Sequence, residues 1–109
     1  MRAGCSWLAY QALDARLSLP ISKVHFWRDK QQREIDFVIP RGRNSVDALE
    51  CKWNAEAYEP AALAVFRASY AKGRNFVLCP GVKRAFERRI GKQLVVFLPL
   101  EDCRKTLSE

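Results

Sequence analysis

No apolar run in this sequence approaches the roughly 20 residues that a membrane-spanning helix needs. The apolar stretch near Met1 is too short for a secretion signal. Internal repeats, low-complexity stretches and linkers are also missing. The 109 residues are enough for one modest core, and the apolar content of 49% is ordinary for a soluble protein. We therefore expect a single globular domain and no membrane partner.

Histidine and paired cysteines are scarce as well. His25 is the only histidine, which argues against a histidine-based metal site and a Ser-His-Asp triad. The four cysteines, at positions 5, 51, 79 and 103, form no CxxC pair, so neither a zinc ribbon nor a redox motif is expected. Two disulfides remain arithmetically possible. Because Cys51 and Cys79 lie in apolar strand-like runs, we predict buried, reduced thiols and a cytoplasmic protein.

Positive charge is in surplus. Nineteen Lys and Arg oppose twelve Asp and Glu, which gives a net charge of +7 and a pI near 9.6. Such a surplus favours a polyanionic partner through steering and counterion release. The alternative is that the charge serves solubility alone.

The spacing of the apolar residues predicts alternating helices and strands. Helical spacing predicts a first helix over residues 5–17 and a second after Pro60, with Gly73 as its C-cap. A basic segment at 82–90 is predicted to form one or two further helical turns. Short apolar or alternating runs predict strands at 24–28, 34–39, 46–53, 76–79 and 94–98. Residues 29–32 and 40–44 have turn chemistry.

This order is α-β-β-β-α-β, followed by a short helix and a last strand. It predicts an α/β fold with a central mixed sheet flanked by helices. The first three strands should form an antiparallel meander, because their connections are too short for crossovers. The later strands are expected to join through helical crossovers and to run parallel to a neighbour.

Two of these strands carry ionisable residues among apolar ones. Side chains alternate faces along a strand, so Glu34, Asp36 and Val38 should share one face, and Ile35, Phe37 and Ile39 the other. In the next strand, residues 48, 50 and 52 should share a face. A hairpin centred on Arg43 would place Asp36 opposite Glu50, with Cβ atoms about 5 Å apart.

Two close carboxylates repel each other unless a cation lies between them. Mg²⁺ prefers oxygen ligands, which Asp36, Glu50 and the carbonyl of Cys51 would supply. A water retained by the metal becomes a nucleophile for phosphorus, and Lys52 would orient it or neutralise charge on the phosphate. The alternative is a cross-strand ion-pair cluster on a solvated sheet face.

These residues resemble a known nuclease superfamily. Asp36, followed by Glu50-Cys51-Lys52, resembles the Asp…(Asp/Glu)-x-Lys signature of the PD-(D/E)xK nucleases, whose fold is called restriction-endonuclease-like. The stretches HFWRDK, REIDFV and LECKW look like the nuclease-like C-terminal domain, formally of unknown function, that follows an AAA+-type ATPase module in many bacterial and archaeal proteins.

The resemblance covers roughly residues 4–100. It implies a restriction-endonuclease-like αβββαβ core within a single nuclease-like domain, residues 1–109. It also implies that Asp36 and Glu50 are metal ligands and that Lys52 is the catalytic lysine of Mg²⁺-dependent DNA cleavage, with Mn²⁺ as a substitute metal.

The sequence departs from the superfamily pattern in three places. Ile35 stands where a proline or similar residue usually precedes the first acidic residue. Many members carry a metal-site glutamate in the first helix, and here Leu8 stands about there, with Gln11 a weaker donor nearby. No Walker-type GxxxxGK(S/T) motif is present. The chain is then expected to be a standalone form, a truncated product or a fragment of a longer ATPase protein.

Several basic and aromatic residues are candidates for DNA contacts. The predicted backbone-contacting set near the hairpin is Arg28, Lys30, Arg33, Arg41 and Arg43. A second set, Lys83, Arg84 and Arg88 together with Lys92, is either a phosphate-binding surface or a solvated helix face. Trp27 and Trp53 are possible stacking residues, but Trp53 is predicted to be buried in the core.

Two functions follow from the sequence. The first is a Mg²⁺-dependent DNA nuclease that uses Asp36, Glu50 and Lys52. The second is a catalytically inactive nuclease-fold module that binds DNA or a partner protein such as an ATPase subunit. A purely structural or dimerising domain is a third reading, since an exposed sheet edge supports homodimers.

Overall fold

The computed structural model of the protein describes residues 25–107. The predicted helix at 5–17 lies outside the described residues, as do Leu8 and Gln11. Six strands and two α-helices are formed within them: β1 (His25–Arg28), β2 (Glu34–Gly42), β3 (Ser45–Cys51), α1 (Ala61–Ser69), β4 (Asn75–Leu78), β5 (Phe86–Ile90), β6 (Gln93–Leu98) and α2 (Leu100–Leu107). A 3₁₀ turn, Ala55–Ala57, lies between β3 and α1. Neither helix in this part of the chain is long and apolar enough to cross a membrane.

The strands form one mixed sheet in the order β1-β2-β3-β4-β6-β5. The pairs β1–β2 and β2–β3 are antiparallel, which confirms the predicted meander. Strands β3, β4 and β6 run parallel, and α1 connects β3 to β4 as a crossover must. The edge strand β5 is antiparallel to β6. The protein is therefore of the α/β class.

Both faces of the sheet are buried, which explains why the central strands are so apolar. Helix α1 packs Leu63 and Phe66 against one face, together with Val38, Val77 and Phe97. We call this the α1 face. The opposite face holds a second cluster, with Leu100 of α2 packed against it: Phe37, Ile39, Leu49, Cys51, Phe76, Leu78 and Leu98. Each of these buried side chains contributes about 1.5–3 kcal/mol. Cys51 and Cys79 are buried thiols, as predicted.

The hairpin between β2 and β3 is tighter than predicted. Pro40 and Arg41 belong to β2, and the chain reverses at Arg43 and Asn44, whose φ angles are +50° and +64°. Positive φ at both central positions gives a two-residue turn whose twist matches the flanking strands. The turn is thus centred between Arg43 and Asn44 and not on Arg43, and a register shift between Pro40 and Gly42 restores the predicted pairing further along the strands.

The prediction of helical turns at 82–90 is wrong, because Phe86–Ile90 is strand β5. The Phe86 ring stacks on Phe97 of β6 at 4.8 Å, a cross-strand contact that local periodicity does not reveal. The connection from β4 to β6 is therefore not a helical crossover. Helix α2, which follows Pro99, was not predicted either; Glu101 and Asp102 stabilise its first turn.

Gly73 is not the C-cap of α1, which ends at Ser69. Its φ of +141° and its closeness to β3 explain why it is glycine: an added Cβ would lie 1.6 Å from the carbonyl oxygen of Val46. The Arg67 side chain closes this end of the helix instead. It is buried and donates to the carbonyls of Tyr70, Lys72 and Arg74 at 2.9–3.0 Å.

A buried carboxylate, Asp47, lies at the same end of the sheet and is 1% exposed. Arg41 Nε donates to its Oδ2 at 2.9 Å, Arg74 Nη2 donates to the same oxygen at 2.8 Å, and the Arg74 N–H donates to Oδ1 at 2.9 Å. Burial by itself raises the pKa of Asp47, but these donors outweigh it and hold the pKa below its usual value of 3.8. We call Asp47, Arg41 and Arg74 the Asp47 network.

Candidate active site

Asp36 and Glu50 both lie at the opposite end of the β2–β3 pair. The register joins Phe37 to Leu49 and Val38 to Ala48, which is the register predicted from the hairpin. The next positions toward the open end of the pair are Asp36 and Glu50. They lie about 20 Å along the strands from the hairpin turn, at roughly 3.4 Å per residue.

A β-bulge in β2 turns the chain at this point. His25 pairs with Val38 and Trp27 with Ile35, so Asp36 and Phe37 together lie against the single residue Phe26. The extra residue breaks the alternation of faces, and Ile35 packs with Val38 on the α1 face. The prediction that Ile35 shares a face with Phe37 and Ile39 is therefore wrong, and so is the prediction that Glu34 shares a face with Val38. Bulges of this kind re-aim a side chain.

The Asp36 carboxylate is aimed at the end of β3. The backbone N–H of Cys51 donates to Asp36 Oδ2 at 2.9 Å. In a strand the N–H and C=O of one residue point to the same neighbour, so the Cys51 carbonyl also faces the β2 side. Its thiol is buried in the opposite core. Only the main chain of Cys51 therefore belongs to the site, as the predicted carbonyl ligand requires.

Glu50 is only 7% exposed and lies near the hydroxyl of Tyr58. Burial, and then the charge of Glu50, raise the pKa of Tyr58 well above its usual value. The Tyr58 hydroxyl is buried and has no hydrogen-bond partner within the described residues. Asn54 Oδ1 accepts the Ala57 N–H at 3.0 Å and closes the 3₁₀ turn that leads to Tyr58. Sequence reasoning missed Tyr58, since only the folded turn brings it to Glu50.

Lys52 completes the predicted triad at the end of β3. Its backbone N–H donates to the Leu78 carbonyl at 3.0 Å, which fixes the main chain between β2 and β4. The side chain is half-buried, and its ammonium forms no ion pair with residues 25–107. The sheet thus fixes the main chain of this lysine.

The oxygen donors here suit a hard cation such as Mg²⁺. Two carboxylates and one carbonyl are a small set, and such a metal keeps several waters. The described residues contain no cluster of three or more His, Cys, Asp or Glu arranged to hold a metal. The buried, unpartnered hydroxyl of Tyr58 beside Glu50 adds one more polar atom to this set.

The predicted DNA-contacting residues divide between the two ends of the sheet. Arg28, Lys30 and Arg33 lie in or beside the β1–β2 turn, at the same end as Asp36. Arg28 is paired with Glu34 at 2.9 Å and Arg33 with Asp29 at 2.7 Å, whereas Lys30 is exposed.

Arg41 and Arg43 do not lie near the carboxylates. Arg43 is in the hairpin turn at the far end of the sheet, and Arg41 is committed to Asp47. Their proximity to the site in sequence was misleading, because a strand of this length separates its two ends by about 20 Å.

The second basic set is divided as well. Lys83 and Arg84 are exposed in the loop before β5, while the Arg88 guanidinium lies over the rings of Phe86 and Phe97 at 5.5 and 5.1 Å. The predicted common helix face of these residues does not exist, since the segment is a strand.

The two tryptophans considered as stacking residues, Trp27 and Trp53, differ in their packing. Trp27 packs edge-on against Phe66 at 5.5 Å. Trp53 is 46% exposed, so the prediction that it is a core residue is wrong. The strand ends at Cys51, and the alternation of faces that would have buried Trp53 ends with it.

Comparison with known proteins identifies the family. No match was found among curated proteins. A family model described as "Domain of unknown function (DUF4143)" matches residues 8–102. This uncharacterised domain is commonly found with AAA ATPases. Because the match spans most of the chain, the protein belongs to the DUF4143 family.

Proposed function

We propose that the domain is a Mg²⁺-dependent DNA nuclease of the PD-(D/E)xK type, with a restriction-endonuclease-like core. One observation carries the proposal: the Cys51 N–H donates to Asp36 Oδ2 at 2.9 Å. This hydrogen bond brings the first carboxylate of the signature beside the Glu50-Cys51-Lys52 segment. The order β-β-β-α-β from His25 to Leu78 agrees with the core that the signature implies.

Each residue of the site has a defined task in this proposal. Asp36, Glu50 and the Cys51 carbonyl would hold the metal, and the Cys51 N–H keeps the Asp36 carboxylate at the end of β3. A bound Mg²⁺ supplies Lewis acidity and lowers the pKa of a coordinated water. Lys52 offsets negative charge that develops on the phosphate during hydrolysis. Asp36 and Glu50 would repel each other less with a cation bound at the site.

The basic residues at this end of the sheet suit the DNA backbone. Lys30, Lys83 and Arg84 are exposed cations on the two loops that flank the carboxylates. Arg28 and Arg33 are partly exposed even though each is ion-paired. A net charge of +7 adds long-range attraction for a polyanion, which weakens as salt rises.

Plasmid nicking by Asp36→Asn tests this function. Asparagine retains an oxygen that accepts the Cys51 N–H, so the substitution removes charge with little change in packing. We expect nicking that requires Mg²⁺ or Mn²⁺ in the wild type, and a fall of at least about 100-fold in the variant.

Glu56→Gln is the matched control, because Glu56 is an exposed carboxylate in the 3₁₀ turn. It should nick at the wild-type rate. Absence of metal-dependent nicking in the wild type, or equal nicking rates for wild type and Asp36→Asn, would refute the nuclease proposal.

The second candidate is a catalytically inactive module that binds DNA or a partner such as an ATPase. It is favoured by the small ligand set, since residues 25–107 contain no cluster of three or more potential metal-ligating side chains. The occurrence of the domain with AAA ATPases points the same way. A gel-shift assay in EDTA separates the two candidates. If the protein binds DNA in EDTA and does not nick plasmid with any metal tested, the inactive DNA-binding module is supported.

A further inference from the structure

Trp53 presents a large aromatic surface directly after Lys52. Its side chain is 46% exposed. Tryptophan is usually well buried, because leaving so large an apolar surface in water forfeits several kcal/mol. An indole exposed beside a charged site is therefore a candidate contact surface.

The backbone around Trp53 is held from two directions. The Gly81 N–H donates to the Trp53 carbonyl at 3.2 Å, and the preceding Lys52 N–H is bonded to Leu78. A Cβ added to Gly81 would lie 2.8 Å from the Trp53 carbonyl oxygen, so glycine permits this close approach. The indole is thus attached to an ordered main chain.

The same contact brings a basic loop to Trp53. Lys83 and Arg84 are exposed and follow Gly81 by two and three residues, which limits their Cα atoms to about 7 and 11 Å from it. Lys52 adds a third cation at the adjacent position. An aromatic face among cations is the combination with which proteins bind single-stranded nucleic acid: bases stack on the ring, and the backbone contacts the charges.

We propose that Trp53 stacks on an unpaired base, so that the site takes single-stranded DNA or frayed ends in preference to intact duplex. The assignment of DNA as the substrate rests on the proposed function. In a duplex the faces of internal bases are covered by their neighbours, and an indole reaches them only where the strand is unpaired. Lys52, Lys83 and Arg84 then bind phosphates flanking that base.

Binding measured in EDTA tests this without requiring cleavage. Fluorescence anisotropy would compare a labelled 20-nucleotide oligo(dT) with a duplex of equal length, using Trp53→Ala and Trp53→Phe. We expect Trp53→Ala to weaken single-strand binding about 10-fold and duplex binding less than about 2-fold. Trp53→Phe should retain most of the affinity, since phenylalanine also stacks.

Phe26→Ala is the matched control, because Phe26 is an aromatic residue of β1 that is 68% exposed. It should bind both DNAs as the wild type does. Unchanged single-strand binding by Trp53→Ala, or an equal loss on both DNAs, overturns the proposal. A Trp53 effect in a protein that never nicks would refute the nuclease function alone. Normal nicking with no Trp53 effect would refute the stacking role alone.

Discussion

The two ends of β3 hold carboxylates in opposite settings. At one end Asp47 is buried and receives donors from Arg41 and Arg74. Asp36 and Glu50 lie at the other end, where the backbone N–H of Cys51 donates to the Asp36 carboxylate. The first arrangement neutralises charge inside the protein and so stabilises the fold. The second orients Asp36 through a main-chain donor, and the proposed function rests on this arrangement.

Positions 47 and 50 also face opposite sides of the sheet, because side chains alternate along a strand. Asp47 is on the side of Leu49 and Cys51, while Glu50 is on the α1 face near Tyr58. One strand therefore supports a structural network at its start and a candidate reactive site at its end. Substitutions at the two ends should affect different measurements.

The largest loss of stability is expected from Gly73→Ala, in the loop that brings Arg74 to Asp47. The new Cβ would overlap the Val46 carbonyl, whose backbone cannot rotate away. We expect the free energy of unfolding to fall by about 4 kcal/mol or more, measured by urea denaturation. Gly91→Ala is the control: its φ is also positive but its surroundings are open, so about 1–2 kcal/mol is expected. Equal losses would contradict this reading of Gly73.

Asp47→Asn comes next, with an expected loss of about 3 kcal/mol. The substitution leaves Arg41 and Arg74 facing a neutral amide in a site that is closed to water. Urea denaturation at neutral pH measures the loss. A change below about 1 kcal/mol would mean that the two arginines are solvated well enough to do without the carboxylate.

Acid should remove the same contribution in the wild type. The pKa of Asp47 is lower in the folded state than its usual value of 3.8, so the folded state favours the charged form. This stability is fully present above pH 3.8 and is lost as pH falls through the lower, folded-state pKa. Thermal unfolding between pH 5 and 2 should therefore show a steeper decline for wild type than for Asp47→Asn. Parallel curves would be inconsistent with the depressed pKa.

Asp36→Asn should change the free energy of unfolding by less than about 1 kcal/mol, while the proposed function predicts a fall of at least about 100-fold in nicking. The amide oxygen still accepts the Cys51 N–H, and carboxylate repulsion is reduced. The same urea series compares it with Asp47→Asn. A loss of unfolding free energy as large as that of Asp47→Asn would show that Asp36 stabilises the fold, and the two ends of β3 would then not differ in role.

The smallest effect is expected from Tyr58→Phe. Removing a buried hydroxyl that has no partner in the described region should leave stability unchanged or raise it by up to about 1 kcal/mol. Tyr70→Phe, at an exposed ring, is the control. A clear destabilisation specific to Tyr58 would show that its hydroxyl has a structural partner.

Local patterns in the chain were enough for the meander and the helix α1. The Arg43-Asn44 turn alone would have paired Phe37 with Glu50, and the observed β2–β3 register matches the prediction because an irregularity between Pro40 and Gly42 shifts the pairing by one residue. Prediction failed at β5, where Phe86 and Arg88 are explained by packing on β6, and at Gly73, whose role depends on Val46 in a distant strand.

The candidate site divides in the same way. Sequence spacing alone brought Asp36, Glu50 and Lys52 together as a hypothesis, since alternation and one short turn suffice for that. The direction of the Asp36 carboxylate depends on a bulge in β2 opposite β1. The surroundings of Glu50 depend on Tyr58, and the exposure of Trp53 depends on where β3 ends. Each of these depends on residues that pattern reasoning treats separately. The conformations of these side chains are set by contacts that exist only once the sheet has assembled.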